Sequence, residues 1–397
     1  MNRKQRRADR KRGAAAPPAG GTESQYRRLL QSGDPLALHA FGVAAHRSGR
    51  NDIALETLTK AIALDGAVPE FHYNLGIVLK ALDRLDEAEG SYRRAIALRP
   101  GYALAHNNLG NVLRAQGARA AARDCFVQAL VARPDFAEAH YSLANLLLEE
   151  APDVAAEHLA ACLAIDPGDS LGAGLLLARL GAAPTPTQAS AAHLEKTYAE
   201  RSQSWDRDKG YRGHELVAQA LRQAAGNSKL DILDAGCGTG LAGPLLRGLA
   251  KRLDGIDLSA AMLEQAGAKG VYDHLIKGEL VSFLAENPAR YEAIAAAAVL
   301  IHFGDLAPLF AAAGTALKPG GLFIFTLFPH EGESDFAVAA DIELAKGGCF
   351  SHAPGYVARL AEAGGFVVES LERETHELDR SGAPVTGLIA ILRRRTG

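Results

Sequence analysis

The chain has 397 residues but only four cysteines, Cys125, Cys162, Cys237 and Cys349, and no two are close in sequence. No Cys-x-x-Cys pair exists, so a disulfide framework or a cysteine-ligated zinc site is excluded as an organising feature. No apolar run is long and uninterrupted enough to span a bilayer, and the amino terminus lacks the apolar stretch of a secretory signal. A reducing cytoplasm is the compartment these absences predict. Charge of one sign is lacking too: the formal net charge is -3, which argues against a nucleic-acid substrate for the chain as a whole. The exception is residues 1–13, where seven basic residues stand against the single acid Asp9. Such a segment cannot form a core and reads, through about residue 30, as a disordered basic tail with no assignable partner. No Ser-His-Asp or paired-carboxylate constellation appears. Hydrolytic chemistry of those kinds is therefore not indicated.

What the chain does have is a period, of about 34 residues. Gly42, Gly76 and Gly110 recur at this constant step, and Ala144 takes the next place. Ala54, Ala88 and Ala122 keep the same step, as do Leu58, Tyr92 and Phe126. A fourth unit holds the register with one residue deleted, giving Ala155, Leu159, Cys162 and Pro167. Small residues at helix crossings and large ones in the gaps predict antiparallel helix pairs. No single pair buries its apolar face, so the pairs must stack into a solenoid. In period and signature classes the segment resembles the tetratricopeptide repeat, with four units over about 35–168. A further apolar helix at Leu171–Leu180 is predicted to cap it, within a helical domain spanning 31–183. The resemblance implies a groove for a protein or peptide, with Asn74 and Asn108 at matching positions facing it. His72, His106 and His140 also share the repeat step and read as packing residues, not metal ligands. Pro184 and Pro186 mark a linker.

From about residue 212 short β-rich runs alternate with helical stretches, which predicts a mostly parallel sheet wrapped by helices. Strands are predicted at 230–235, 252–257, 274–277, 291–300, 322–327, 366–371 and 385–392, the last pair suggesting a terminal antiparallel hairpin. Between the first strand and the next helix runs Leu233, Asp234, Ala235, Gly236, Cys237, Gly238, Thr239, Gly240. Glycines there let the backbone turn tightly and approach a ligand, at the carboxyl end of a strand where open α/β sheets bind them. The dinucleotide fingerprint fails, because Leu241 stands where its third glycine belongs. The spacing Gly-x-Gly-x-Gly instead resembles the first motif of class I S-adenosylmethionine-dependent methyltransferases.

Asp257 ends the second strand, close after the glycine loop, where an acid can accept both ribose hydroxyls of a nucleoside. Its context, Gly255 to Met262, resembles that family's second motif. The resemblance covers residues 190–395. Over 184–397 it implies a Rossmann-like domain binding S-adenosyl-L-methionine through Asp234, Gly236, Gly238, Gly240, Asp257, Leu258, Met262, Glu279 and Leu280. Asp234 would meet the methionine amino group, Met262 the adenine face and Glu279 the adenine amine. His302, after the fourth strand, is the candidate general base. Tyr211, Arg212 and His352 are candidate substrate contacts. Two departures stand out: Ala298 and Phe328 occupy positions where acids are common in the resembling group. Three functions follow. The enzyme methylates a protein or peptide recruited by the repeats. Alternatively it methylates a small carboxylic acid paired by Arg212, with the repeats serving assembly. In the third, the repeats are an adaptor and the methyltransferase domain is inactive.

Overall fold

The computed structural model describes residues 28–31, 33–207, 210–226, 228–330, 341–345, 348–379 and 381–396. The basic stretch at 1–13 lies outside them. The chain divides into two units between Ile165 and Asp166.

From Pro35 on, the described residues of the first unit form the helices α1 Pro35–Arg47, α2 Asn51–Leu64, α3 Pro69–Ala81, α4 Leu85–Leu98, α5 Ala103–Ala115, α6 Arg119–Ala132, α7 Ala137–Leu147 and α8 Pro152–Ile165. They are the four predicted pairs. Each repeat glycine faces the large residue of its partner helix. A Cβ on Gly76 would lie 2.6 Å from the Tyr92 ring, and one on Gly110 2.5 Å from Phe126. Both rings are fully buried, so a side chain at either glycine would push the two helices apart. The recurring histidines have one structural task. The Nε2 atoms of His72, His106 and His140 hydrogen-bond to the carbonyls of Gly66, Pro100 and Pro134, at 3.0, 2.8 and 2.9 Å. Each ring fastens its helix to the turn before it.

The second unit begins with a correction. The boundary predicted at 183/184 falls instead at 165/166. The predicted cap, α9 Ala173–Arg179, belongs to the second unit because Leu175 is buried with Ala189 and Phe350. Next come α10 Ala191–Arg201, a turn at Trp205–Arg207 and α11 Gly213–Ala225. The sheet core follows as β1 Leu230–Ala235, α12 Gly243–Arg247, β2 Ala250–Asp257, α13 Ala260–Ala268, β3 His274–Lys277, α14 Leu280–Glu286 and β4 Tyr291–Ala296. It continues with α15 Ala307–Ala316, β5 Leu317–Pro329, β6 Ile342–Leu344, β7 Phe350–His352, α16 Pro354–Ala363, β8 Phe366–Leu378 and β9 Pro384–Arg394.

The main path runs β3-β2-β1-β4-β5, all parallel, and β9 then β8 extend it antiparallel beyond β5. The short pair β7–β6 branches from the end of β5 and was not predicted. Alternate strand residues feed two cores. Leu233, Ile294, Phe323 and Phe325 face one side, and Ile232, Ala293, Ala295 and Ile324 the other, where α11 packs. The strand order reverses at β1, whose neighbours are β2 and β4. Ligands of open sheets bind at such a switch point, past the strands' carboxyl ends. Among the described residues no helix is long and apolar enough to cross a membrane.

Candidate functional site

A cavity of about 970 Å³, its open mouth included, lies at that switch point. Its floor is the glycine loop after β1. Gly236, Gly238 and Gly240 adopt φ of 65°, 54° and 82°. At Gly236 the space is also closed: a Cβ would fall 2.4 Å from Val299 Cγ2. The loop after β4 thus leans directly on the loop after β1.

Asp257 at the end of β2 forms one wall. Its Oδ2 accepts the Gly238 amide at 2.9 Å and its Oδ1 the Ser259 amide at 2.8 Å. Burial raises its pKa, and those amides offset part of the rise. Asp234 faces the same cavity and is 2% exposed. Its Oδ2 accepts the Tyr272 hydroxyl at 2.6 Å. Burial, together with the Asp257 charge, pushes its pKa up to about 7 despite that hydrogen bond. Met262, 1% exposed, Leu258 and Leu280 supply apolar wall. Glu279, expected at the adenine amine, lines the cavity, but both its oxygens are engaged in capping α14, on Val281 N at 3.0 Å and Ser282 N at 2.7 Å. A polar residue at this helix start satisfies otherwise orphaned amides.

Aromatic side chains from α10, the turn after it and the stretch before α11 form another part of the wall. Tyr198, Trp205 and Tyr211 line the cavity with Phe303 and His302. The Tyr198 hydroxyl meets His302 Nε2 at 2.7 Å. Burial drives the His302 pKa down to about 4, so the ring is neutral near pH 7. His302 is positioned from behind by a strand-like pairing in which Ala189 N donates to His302 O at 2.8 Å. This aromatic segment is latched at two points. Asp206 accepts the Thr239 hydroxyl and the Lys269 ammonium, the latter at 2.7 Å. Lys277 pairs with Glu195 at 2.6 Å. None of Thr239, Lys269, Asp206 or Tyr272 was picked out in the sequence, because each works through a partner far away along the chain.

Two predicted substrate contacts lie elsewhere. Arg212 is absent from the cavity lining. Its guanidinium, 43% exposed, reaches Glu215 at 3.5 Å and the Thr375 carbonyl at 3.4 Å. His352 is fully buried in β7, outside the cavity, stacked on Tyr356 and donating from Nε2 to the Gly304 carbonyl at 3.1 Å. It braces the loop that follows His302. Ala298 lines the cavity in a left-handed conformation, φ 57°, its amide donating to Thr326 Oγ1 at 3.0 Å. That turn ends β4 at Ala296, short of the predicted Leu300. In the first unit Asn74 and Asn108 are already engaged: Asn74 Nδ2 reaches His39 Nε2 at 2.8 Å, and Asn108 Nδ2 donates to the Tyr73 hydroxyl at 3.2 Å. Each links one repeat to the one before.

A parallel sheet with a glycine loop, an acid ending β2 and a cavity at the switch point defines an open α/β domain for a nucleoside-containing ligand. A methyltransferase-domain family model matches residues 209–371, and a tetratricopeptide-repeat model matches 39–103 and 107–170. The chain therefore carries an S-adenosylmethionine-dependent methyltransferase domain behind tetratricopeptide repeats. A ubiquinone biosynthesis O-methyltransferase of Thiobacillus denitrificans (strain ATCC 25259 / T1) is 27% identical over 190 residues, 43% of this chain and 81% of the relative. One from Xylella fastidiosa (strain 9a5c) is 35% identical over 102 residues, where the match spans 24% of this chain and only 41% of the relative. The structure of Burkholderia thailandensis 1,6-didemethyltoxoflavin-N1-methyltransferase with bound 1,6-didemethyltoxoflavin and S-adenosylhomocysteine is similar at 16% identity and a TM-score of 0.41. That match covers 52% of this chain and 87% of that one.

Proposed function

We propose that the chain transfers a methyl group from S-adenosylmethionine to an acceptor held at the His302 end of the cavity, while the repeats hold a protein partner. The observation that carries this reading is one continuous cavity. It is lined both by the glycine loop, Asp234 and Asp257 and by His302 with Tyr198. The residues fit the cofactor. Asp257 is fixed by two backbone amides, so its remaining lone pairs are held in place for ribose hydroxyls. Asp234 is a buried carboxylate with only a neutral hydroxyl on it, and a methionine ammonium would supply the missing charge. Met262, Leu258 and Leu280 offer an apolar slot for adenine. Gly236, Gly238 and Gly240 allow the backbone to approach. Glu279 acts here chiefly by capping α14.

When bound, S-adenosylmethionine supplies an electrophilic methyl on a positively charged sulfur. The chain's own residues align the acceptor and exclude water. The aromatic segment latched by Asp206 and Glu195 closes the site, and His302 Nε2 is placed to take a proton. The named relatives are O-methyltransferases, which favours an oxygen acceptor. The carboxylic-acid reading loses its support, since Arg212 does not face the cavity. The intact cofactor wall weighs against an inactive domain. Calorimetric titration of S-adenosylhomocysteine into the full chain tests the reading. Micromolar binding that Asp257→Ala weakens at least tenfold supports it. No binding by the intact chain refutes it.

A further inference from the structure

We infer that His214 holds the carboxylate of the cofactor's methionine portion, through a hydrogen bond donated from Nε2. This deepens the cofactor reading above and rests on it.

The need comes from charge. The methionine portion carries its ammonium and its carboxylate on one carbon, so the groups that hold the two must stand close together. Asp234 serves the ammonium. A carboxylate buried without a donor is strongly disfavoured. No lysine or arginine is among the described residues that line the cavity. Two cations near its wall are committed: Lys269 is bonded to Asp206 and to the Thr239 carbonyl, and Arg201 lies over the Trp205 ring at 4.6 Å. Thr239 gives its own hydroxyl to Asp206. The histidines that line the cavity are His214 and His302, and His302 Nε2 is taken by the Tyr198 hydroxyl at 2.7 Å.

His214 has both the position and the free nitrogen. It stands in the first turn of α11 and lines the cavity. Its Nδ1 is enclosed without a partner, which leaves Nε2 as the nitrogen able to meet a ligand. The ring is stacked on Tyr211, centroids 5.4 Å apart and planes at 26°, so its plane is held before anything binds. Its neighbours place it beside the methionine portion. The charge of Asp206, which bonds Thr239 of the glycine loop, acts on His214. The charge of Asp234 acts on Tyr211, the ring that His214 stacks on. Burial lowers the His214 pKa, against the charges of Glu215 and Asp206. The ring therefore meets the carboxylate as a neutral donor, and a hydrogen bond to a charged oxygen is about twice as strong as one between neutral groups. Asp234 and His214 together then read the amino-acid portion of the cofactor, one group for each charge.

The test titrates two ligands calorimetrically into the full chain at pH 8. One is S-adenosylhomocysteine. The other is its decarboxylated analogue, which keeps the adenosine, the thioether and the amino group. The intact chain should bind S-adenosylhomocysteine at least about tenfold more tightly than the analogue. His214→Phe keeps a ring to stack on Tyr211 and removes both nitrogens. It should weaken S-adenosylhomocysteine about tenfold and leave the analogue within about twofold, so that the two affinities converge. The retained affinity for the analogue also reports that the variant is folded. Equal binding of the two ligands by the intact chain overturns the inference. So does an unchanged affinity of His214→Phe for S-adenosylhomocysteine, and so does a loss of both ligands alike, which makes the ring a packing group. Failure of the intact chain to bind either ligand is read separately: it removes the cofactor reading and this inference with it.

Discussion

Asp234 is the residue at which stability and function pull hardest against each other. Its folded pKa stands at about 7 against an ordinary 3.8, raised first by burial and then by the Asp257 charge. The folded state therefore holds this proton where the unfolded chain has released it. For a raised acid the cost is absent below the unfolded pKa and grows as pH rises through the folded one. A difference of about three in pKa, at about 1.4 kcal/mol each, makes roughly 4 kcal/mol the ceiling above pH 7. Relaxation and water entry bring an expected value nearer the lower half of that range. Asp234→Asn removes the titration and keeps the shape, and its amide oxygen still accepts the Tyr272 hydroxyl. Urea unfolding should show no advantage for the variant near pH 4. The advantage should open between pH 4 and 7 and reach about 1–2 kcal/mol at pH 8. Cofactor affinity should move the other way. The variant loses a charge pairing with the methionine ammonium and should bind S-adenosylhomocysteine at least tenfold more weakly at pH 8. In the native chain that affinity should weaken about tenfold for each pH unit below 7, as the apo carboxylate takes up its proton. An asparagine variant with no pH-dependent gain in stability would refute the reasoning about burial. A gain without loss of affinity would refute the assignment of Asp234 to the cofactor.

Other perturbations reach the remaining parts. Gly236→Ala combines a left-handed backbone with a Cβ 2.4 Å from Val299 Cγ2. It should cut S-adenosylhomocysteine affinity about a hundredfold by calorimetry, with Val299→Ala restoring part of it by relieving the clash but not the backbone strain. Asp206→Ala removes the latch between the aromatic segment and the glycine loop. The ion pair is half exposed and worth under about 1 kcal/mol, and the Thr239 hydrogen bond adds about as much. S-adenosylhomocysteine should then dissociate about 5- to 30-fold faster, as reported by the fluorescence of Trp205, the chain's single tryptophan; an unchanged rate argues that the segment opens without breaking the latch. In the first unit Gly110→Ala places a Cβ 2.5 Å from Phe126 and should lower the stability of the repeats by about 1–3 kcal/mol in urea unfolding. A change under about 0.5 kcal/mol would mean the helix crossing is looser than it looks.

Much of the architecture was readable because it repeats or because it is local. The repeat register set the helix pairs, since each glycine answers a large side chain at a matching position of the next helix. The glycine loop and Asp257 were readable for a related reason: a strand, a tight turn and an acid ending the next strand all fall within one short stretch of chain. The errors have equally local causes. The second strand, expected from 252, starts at Ala250, so the helix after the glycine loop stops at Arg247. The strand predicted to reach Leu300 ends at Ala296, where Ala298 turns left-handed, a conformation that nothing in a run of alanines announces. The strands β6 and β7 are too short to show a period. The apolar helix at 173–179 looked like a solenoid cap, because an apolar stripe does not say which surface it will cover.

The Tyr198–His302 wall of the site resisted reading for a deeper reason. Its central pair, Tyr198 and His302, is separated by 104 residues, and the groups that pin it are also brought in from a distance. Asp206 finds Thr239 and Lys269, and Ala189 finds His302, through the folded chain alone. Cofactor recognition needs a fixed backbone turn and one acid, which a short motif can encode. The Tyr198–His302 wall needs side chains from α10, from the turn after it and from the loop after β4 to converge on one volume. Sequence proximity made Arg212 and His352 plausible neighbours of that volume. The helix start at Arg212 and the burial of His352 under Tyr356 turn both away from it. If this division holds, Tyr198→Phe should change which acceptors bind while leaving S-adenosylhomocysteine affinity within about threefold. Substitutions at Asp257 should do the reverse. A Tyr198→Phe variant that loses cofactor and acceptor affinity together would show that the two walls are one cooperative site, and the separation would fail.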